Sequence, residues 1–226
     1  MRDFYFCVMA VNKEAYQKLN EELRLSNISL VAVSKTKPAA DILELYNLGH
    51  RDFGENYVQE LVEKAQQLPK DIRWHFIGHL QTNKVKSIIP FVYLIHGVDS
   101  FKLLKEINKQ AEKSNRVVDC LLQVHIAQEE TKFGLNEEEL FNLEFTQLTN
   151  VKVKGLMGMA SLTDDVNKLR IEFKYLQTIF EKLRDQYPQL EILSMGMSGD
   201  YRIAIEEKSN MVRIGSLLFG ERDYQK

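Results

Sequence analysis

The sequence is poor in the residues that mark several common protein classes. Its 226 residues include only two cysteines, four prolines and eleven glycines. Cys7 and Cys120 lie far apart and belong to no C-x-x-C pair, which argues against a disulfide framework and against a zinc site. This cysteine usage favours a reducing compartment, so we expect a cytoplasmic protein. The few prolines and glycines leave no low-complexity or collagen-like stretch.

An excess of charge of one sign is also lacking. Lys and Arg together number 30, Asp and Glu together number 32, and the formal net charge is −2. This balance gives no sign of a nucleic-acid or membrane partner. Apolar residues make up 44% and charged residues 27% of the sequence, which is typical of a globular chain rather than a disordered one.

Long apolar runs are absent as well. The longest, Ile88 to Ile95, is interrupted by Pro90 and is far shorter than the roughly 20 residues that a membrane-spanning helix needs. The run from Phe4 to Val11 follows Asp3 and leads into Asn12 without a small-residue cleavage site. We therefore expect no signal peptide.

Short apolar runs alternate with helical patterns along the whole chain. The predicted strands are residues 28–33, 52–54, 73–77, 93–98, 117–126, 151–159, 190–195 and 211–214. The predicted helices are residues 11–25, 39–48, 56–68, 81–89, 101–113, 137–148, 165–187, 201–207 and 216–219. Ser100 and Asn136 stand where helix caps belong. Such alternation with short loops requires parallel strands and helical crossovers.

Eight strand–helix units in this length predict an α/β protein with one (β/α)₈ TIM barrel domain over residues 1–226. The first helix would be an extra N-terminal element. An open, doubly wound sheet is the competing fold, but the G-x-G-x-x-G motif of its dinucleotide-binding form is absent. In a barrel, function concentrates at the carboxyl ends of the strands, so the residues there are the candidates for chemistry.

A lysine follows the first predicted strand almost directly. Lys35 comes after the apolar run 30–33 and would point from the strand end into the mouth of the barrel. A lysine that is partly removed from water, near other cations, can lose its proton and form a Schiff base. The alternative is a solvated lysine at the start of a loop.

Small and hydroxyl-bearing residues follow the last two predicted strands. Residues 195–200 follow strand seven, and Gly215 and Ser216 follow strand eight. Backbone N–H groups and serine hydroxyls at this place suit a phosphate, although glycine and serine also make ordinary turns and caps. Arg213, on the last strand, could donate to a ligand ring nitrogen or a phosphate, or could form a structural ion pair.

Other residues near the predicted mouth give weaker signals. His75 and His79 have no evident acidic partner, so we expect no metal site, and we expect one or both of them to be hydrogen-bonded core histidines. Asn56 could contact a ligand or cap a helix. Met157 and Met159 are expected to fill the core rather than to cover a cofactor.

A Schiff-base lysine after strand one, combined with a phosphate cup after strands seven and eight, implies pyridoxal 5'-phosphate (PLP). The sequence also resembles the pyridoxal phosphate homeostasis protein family in six segments that stand in the family's order. These are residues 32–38, 53–57, 74–84, 155–159, 193–200 and 211–216. The segment from Trp74 to Lys84, WHFIGHLQTNK, is the most specific of the six.

The resemblance implies the fold of the N-terminal barrel of alanine racemase and a role for each matched residue. Lys35 would carry the cofactor as a Schiff base, and Arg213 would face the pyridine nitrogen. Met159 would cover the face of the ring, and Asn56 would lie near its edge. The phosphate cup would consist of Ser198, Gly199, Gly215 and Ser216.

The sequence departs from the family pattern in two places. Ser216 stands where many members have threonine, so the hydroxyl is kept. Residues 125–134 match the family's Ser/Gly-rich version only loosely, which leaves the role of the strand-five loop open.

The resemblance implies a PLP-binding protein that keeps free PLP low and could hand it to apo-enzymes. Alanine racemase takes an acid/base group from a second domain, and this chain ends soon after its last barrel motif, so we expect no catalytic turnover and a monomer. An arginine facing the pyridine nitrogen also makes the ring a weaker electron sink. One alternative is a PLP-dependent amino-acid racemase of low activity. Another is a sugar-phosphate barrel enzyme that uses Lys35 as its nucleophile.

Overall fold

The computed structural model describes residues 11–127 and 133–221. The predictions for Cys7 and for residues 4–10 of the N-terminal run lie outside the described residues, and so does the middle of the strand-five loop, residues 128–132. Within the described ranges, no helix is both long enough and apolar enough to cross a membrane. Cys120 is buried, and this burial raises the pKa of its thiol.

Eight parallel strands form a closed barrel in which neighbouring strands follow chain order and the last strand pairs with the first. The strands are β1 (Ser29–Val33), β2 (Asp52–Glu55), β3 (Arg73–Phe76), β4 (Leu94–Val98), β5 (Val118–Gln123), β6 (Val151–Met157), β7 (Ile192–Ser194) and β8 (Met211–Ile214). The closure confirms the predicted (β/α)₈ barrel and excludes the open sheet.

Helices fill the connections between the strands and surround the barrel. They are α1 (Lys13–Leu25), α2 (Ala39–Asn47), α3 (Val58–Gln67), α4 (Val85–Ile88), α5 (Phe101–Lys113), α6 (Glu137–Phe141), α7 (Val166–Gln186), α8 (Tyr201–Glu206) and α9 (Ser216–Phe219). A 3₁₀ turn, Thr82–Lys84, leads into α4. As predicted, α1 precedes the first strand.

Local hydrogen bonds explain where several helices begin. Ser100 Oγ accepts the N–H of Leu103 at the start of α5, at 3.3 Å. Asn136 and Glu139 form a reciprocal capping box at the start of α6. Both predicted caps are therefore confirmed.

The apolar residues of the strands face two cores. A large core lies between the sheet and the surrounding helices, and a smaller one fills the inside of the barrel. The buried members of the inner core are Val31, Leu94, Leu121, Met157 and Met211. Burial of such a side chain stabilises the fold by about 1.5–3 kcal/mol. The expectation that Met157 is a core residue is confirmed.

The helix predicted for residues 137–148 was too long, because α6 ends at Phe141. Beyond it the chain continues through turns, with the N–H of Phe145 donating to the carbonyl of Leu143 at 3.0 Å. Leu143 and Phe145 are both buried although they are only two residues apart. A helix would point two such side chains in widely different directions, so the chain unwinds to bury both. The predicted strand 117–126 was also too long, since β5 ends at Gln123.

Candidate functional site

A cavity of about 400 Å³ opens at the carboxyl ends of the strands, a volume within the usual range for small-molecule sites. All of the site residues predicted from the sequence lie on its wall. They are Lys35 after β1, Asn56 after β2, Met159 after β6, Ser198 and Gly199 after β7, Arg213 on β8, and Gly215 and Ser216 after it. The fold thus brings together residues that lie up to 181 positions apart in the chain.

The backbone on both sides of Lys35 is firmly held. Thr36 has a φ of +63°, which is uncommon for a β-branched residue. Its N–H donates to Glu60 Oε1 at 2.6 Å. On the other side, the buried Ser34 hydroxyl donates to Glu55 Oε1 at 2.6 Å. These bonds fix the turn from which the Lys35 side chain projects.

A buried ion pair lies beneath this turn. Lys64 Nζ donates to the carbonyl of Ser34 at 2.8 Å, to Glu55 Oε1 at 2.7 Å and to Glu60 Oε1 at 2.6 Å. Burial raises the pKa of Glu55 to about 7, although the contacts with Lys64 and Ser34 act in the opposite direction. Among the described residues, Glu55 Oε2 has no hydrogen-bond partner. The Lys35 turn therefore rests on a charged network that the sequence reasoning missed.

The loops after β7 and β8 meet on the other side of the cavity. The N–H of Gly215 donates to Ser198 Oγ at 3.2 Å, which joins the two loops. A Cβ atom built at Gly199 would meet nothing within 4 Å, so the backbone there faces open space. Ser216 begins α9, and the first N–H groups of a helix have no acceptor within the helix. Such N–H and hydroxyl donors fit an anionic group such as a phosphate.

Arg213 is buried at the base of the cavity. Its Nη1 donates to Ser194 O at 2.9 Å and to Ser194 Oγ at 2.7 Å, and its Nη2 donates to Gly158 O at 3.0 Å. Burial lowers the pKa of Arg213 to about 10, with the charge of Asp200 acting in the opposite direction. The guanidinium therefore stays charged at neutral pH. Because it can only donate hydrogen bonds, it can face an acceptor in the cavity such as a ring nitrogen.

Asn56 is not a helix cap, since α3 begins at Val58 and the cap position is Tyr57. Its Oδ1 is buried and has no hydrogen-bond partner among the described residues. A buried amide oxygen without a partner is costly, and such an atom is explained when a ligand or water supplies the donor. Met159 is partly buried against the inner core and also reaches the cavity wall.

The expectation that His75 and His79 lack acidic partners was wrong. His75 Nε2 lies 3.0 Å from Asp52 Oδ1, and its Nδ1 lies 3.0 Å from His96 Nε2. His79 Nδ1 lies 2.9 Å from Asp99 Oδ2. Each carboxylate is at least 20 residues away in the sequence and comes close only through the pairing of neighbouring strands. The parallel register of β2 and β3, which sets Asp52 beside Arg73, is the signal that could have found the first pair.

Comparisons with known proteins identify the family to which this chain belongs. The family model described as "Alanine racemase, N-terminal domain" matches residues 13–223. A protein of Aquifex aeolicus named pyridoxal phosphate homeostasis protein is 47% identical over 199 residues, which cover 86% of this chain and 87% of that protein. This chain belongs to the pyridoxal phosphate homeostasis protein family. The family resemblance predicted from the sequence is thereby confirmed.

Two solved structures illustrate the similarity of this chain to known folds. PipY of Synechococcus elongatus, solved with PLP bound, is 36% identical, with a TM-score of 0.84, over 92% of this chain and 99% of that one. An alanine racemase of Clostridium difficile has a TM-score of 0.75 over 93% of this chain but only 57% of its own. At 16% identity, the second likeness shows the fold alone, which is the alanine racemase-like barrel that the sequence predicted.

Proposed function

We propose that this protein binds PLP as a Schiff base on Lys35 and serves PLP homeostasis without catalytic turnover. The observation that carries the proposal is the single cavity that collects an amine, a buried guanidinium and a set of N–H and hydroxyl donors. Support also comes from PipY, whose structure contains PLP, and from relatives named for PLP homeostasis.

The residues on the cavity wall fit the parts of PLP. Lys35 offers its amine to the aldehyde, and Arg213 offers N–H donors to the ring nitrogen. Asn56 supplies an amide whose oxygen has no partner in the described structure, and Met159 supplies an apolar contact for the ring. The phosphate would lie against the predicted cup of Ser198, Gly199, Gly215 and Ser216, in which the Gly215 N–H already holds Ser198 Oγ in place. Bound PLP would supply a reactive aldehyde and a ring that can accept electrons.

The chemistry of Arg213 favours a PLP-binding protein over a PLP-dependent enzyme. A guanidinium has no acceptor, so it leaves a ring nitrogen facing it unprotonated, and an unprotonated ring withdraws electrons less strongly. Relatives at 34–47% identity are named as homeostasis proteins. The alternative function is that of a PLP-dependent amino-acid racemase with low activity.

Several finer properties remain predictions. We propose that apo-enzymes accept PLP from this protein, that the protein is a monomer of one domain over residues 1–226, and that it works in the cytoplasm. Size-exclusion chromatography with light scattering tests the monomer. Transfer is tested by mixing the PLP-loaded protein with an apo-enzyme and following recovery of that enzyme's activity.

The two functions are separated by combining a binding and an exchange measurement. PLP binding is followed by visible absorption in the wild type, in Lys35→Ala and in the exposed-lysine control Lys152→Ala. The loaded protein is then incubated with amino acids in D₂O, and exchange of the α-proton is followed by NMR. We expect the visible absorption band of the Schiff base in the wild type and in the control, and no such band in Lys35→Ala. We also expect no exchange of the α-proton above that caused by free PLP. Protein-dependent exchange would favour the racemase, and absence of wild-type binding would contradict both.

A further inference from the structure

A row of hydrogen-bonded polar side chains crosses the inside of the barrel. We call it the interior network; its members are Arg213, Ser194, His96, His75 and Asp52. Arg213 Nη1 and Ser194 Oγ are 2.7 Å apart, and Ser194 Oγ and His96 Nδ1 are 3.4 Å apart. His96 Nε2 and His75 Nδ1 are 3.0 Å apart, as are His75 Nε2 and Asp52 Oδ1. Every member except Asp52 is buried.

The interior network connects the two ends of the barrel. Arg213 lies on the wall of the cavity described above. Asp52 and His75 line a second cavity, of about 540 Å³, at the amino ends of the strands. The five members come from five different strands, β8, β7, β4, β3 and β2. Arg213 is the one member of the interior network that is also a proposed PLP contact.

The two ends of the row fix the direction of its hydrogen bonds. Arg213 can only donate, so the Ser194 hydroxyl receives its N–H and must direct its own hydrogen elsewhere, towards His96 Nδ1. Burial acts to raise the pKa of Asp52, but the hydrogen bonds from Arg73 and His75 outweigh it and hold that pKa well below its usual range. The ionised Asp52 can therefore only accept.

With a donor at one end and an acceptor at the other, two neutral histidines can place their ring hydrogens in only one way. His96 accepts at Nδ1 and carries its hydrogen on Nε2, which donates to His75 Nδ1. His75 in turn carries its hydrogen on Nε2, which donates to Asp52. The opposite direction would set an unprotonated Nε2 of His75 against the Asp52 carboxylate unless His75 were an imidazolium. Burial lowers the pKa of His96 well below its usual value, which agrees with a neutral ring.

We propose that His96 and His75 are positioning residues for Arg213. Their Nε2–H forms, selected by Asp52, hold the Ser194 hydroxyl with its hydrogen towards His96 and its lone pairs towards Arg213. Ser194 thereby fixes the plane of the guanidinium at the base of the cavity. The statement that the guanidinium donates to the ring nitrogen of PLP rests on the proposed function. The direction of the hydrogen bonds in the interior network is independent of that function.

The first test uses the cofactor-free wild-type protein. Two-dimensional ¹⁵N–¹H NMR of the imidazole rings at pH 8 distinguishes the Nδ1–H, Nε2–H and imidazolium forms. The resonances are assigned by His75→Gln and His96→Gln. We expect the Nε2–H form at both residues. An Nδ1–H form or an imidazolium at either residue would overturn the proposed direction.

The second test removes the longest link with Ser194→Ala. Its matched control is Ser209→Ala, because Ser209 is a buried serine whose side-chain hydrogen-bond partners among the described residues are all backbone atoms of the same part of the sheet. We expect the His96 Nδ1 resonance to move in Ser194→Ala alone. Loss of one hydrogen bond to Arg213 should weaken PLP binding about three- to tenfold, relative to the control.

Equal PLP dissociation constants in Ser194→Ala and Ser209→Ala would contradict the positioning role. If the wild type itself failed to bind PLP, the proposed function would be wrong, and the imidazole spectra of the cofactor-free protein would still decide the direction of the interior network. If Ser194→Ala did not fold, Ser194→Cys would replace it, since a thiol is a weak donor in nearly the same place. The same three- to tenfold weakening is expected there.

Discussion

The Lys64 amine lies beneath the turn that carries Lys35, and removing it tests how that turn is held. Lys64→Met keeps much of the aliphatic stem but removes the hydrogen bonds to Ser34, Glu55 and Glu60. Removing one partner of a buried ion pair typically costs about 3–5 kcal/mol, because the other charge is left buried and unpaired. We expect the free energy of unfolding to fall by about this amount at pH 8.

Glu55 gives the effect a distinctive pH dependence. Its folded-state pKa of about 7 exceeds the ordinary value of 4.5, so its contribution to stability is full at low pH and declines as pH rises from 4.5 through 7. Above pH 7 the wild type levels off, because the carboxylate ionises beside Lys64. Without Lys64 the folded-state pKa rises further and the decline continues. The destabilisation should therefore be about 1.4 kcal/mol larger at pH 8 than at pH 6.

Urea unfolding at the two pH values measures this difference, with the fluorescence of Trp74, the one tryptophan and a buried residue, as the probe. The double variant Lys64→Met/Glu55→Gln removes both charges and should lose the pH dependence. Lys152→Met, at an exposed lysine, controls for the loss of a surface charge. Equal destabilisation by Lys64→Met at pH 6 and pH 8 would refute the reasoning.

Three further predictions follow from close contacts and burial. In Gly78→Ala the new Cβ would lie 2.2 Å from Asn56 O, so Asn56 must shift by about 1 Å and PLP binding, measured by titration, should weaken about tenfold. In Gly155→Ala it would lie 1.8 Å from Ile192 O at a φ of +159°, and urea unfolding should show a loss of about 3 kcal/mol or more. Burial lowers the pKa of His50 to about 4. Because protonation of His50 is therefore harder in the folded than in the unfolded state, the wild type loses stability as pH falls below 6.5. Between pH 7 and pH 5 the free energy of unfolding of His50→Gln, measured by urea unfolding, should fall by about 2 kcal/mol less than that of the wild type.

Each of these has a control or an outcome that contradicts it. Gly49→Ala shares the positive φ but meets nothing within 4 Å, so it should cost only the backbone strain of about 1–2 kcal/mol. If Gly155→Ala cost no more than this control, the steric argument would be wrong. An unchanged PLP dissociation constant in Gly78→Ala would contradict the packing argument. A pH dependence of stability identical in His50→Gln and wild type would contradict the burial argument for that ring.

The barrel could be predicted from the sequence because its strands are recognisable as short apolar runs. Short apolar runs separated by helical stretches allow only parallel strands with crossovers, and eight such units close into a barrel. The same reasoning placed Lys35, Arg213 and the phosphate-type loops at one end, since the carboxyl ends of parallel strands lie together. The structure collects these residues around one cavity, although their roles toward PLP remain predictions.

What the sequence did not disclose depends on register and side-chain reach. The contact of His75 with His96 and the contact of Lys64 with Ser34 join residues 21 and 30 positions apart, and no local pattern indicates them. Polar residues in the middle of buried strands were the available signal, because such groups need partners. The end of α6 was missed for a similar reason, since the burial of Phe145 is decided by tertiary packing rather than by helical periodicity.

The central claim is that Lys35 holds PLP covalently, and borohydride reduction followed by peptide mass mapping tests it most directly. The protein is incubated with PLP, reduced and digested, with Lys35→Ala treated in parallel. The account predicts a reduced pyridoxyl adduct on Lys35 in the wild type and loss of the visible chromophore in Lys35→Ala. A wild-type protein that stays colourless and unmodified at Lys35 would contradict the account and would favour a sugar-phosphate barrel enzyme instead.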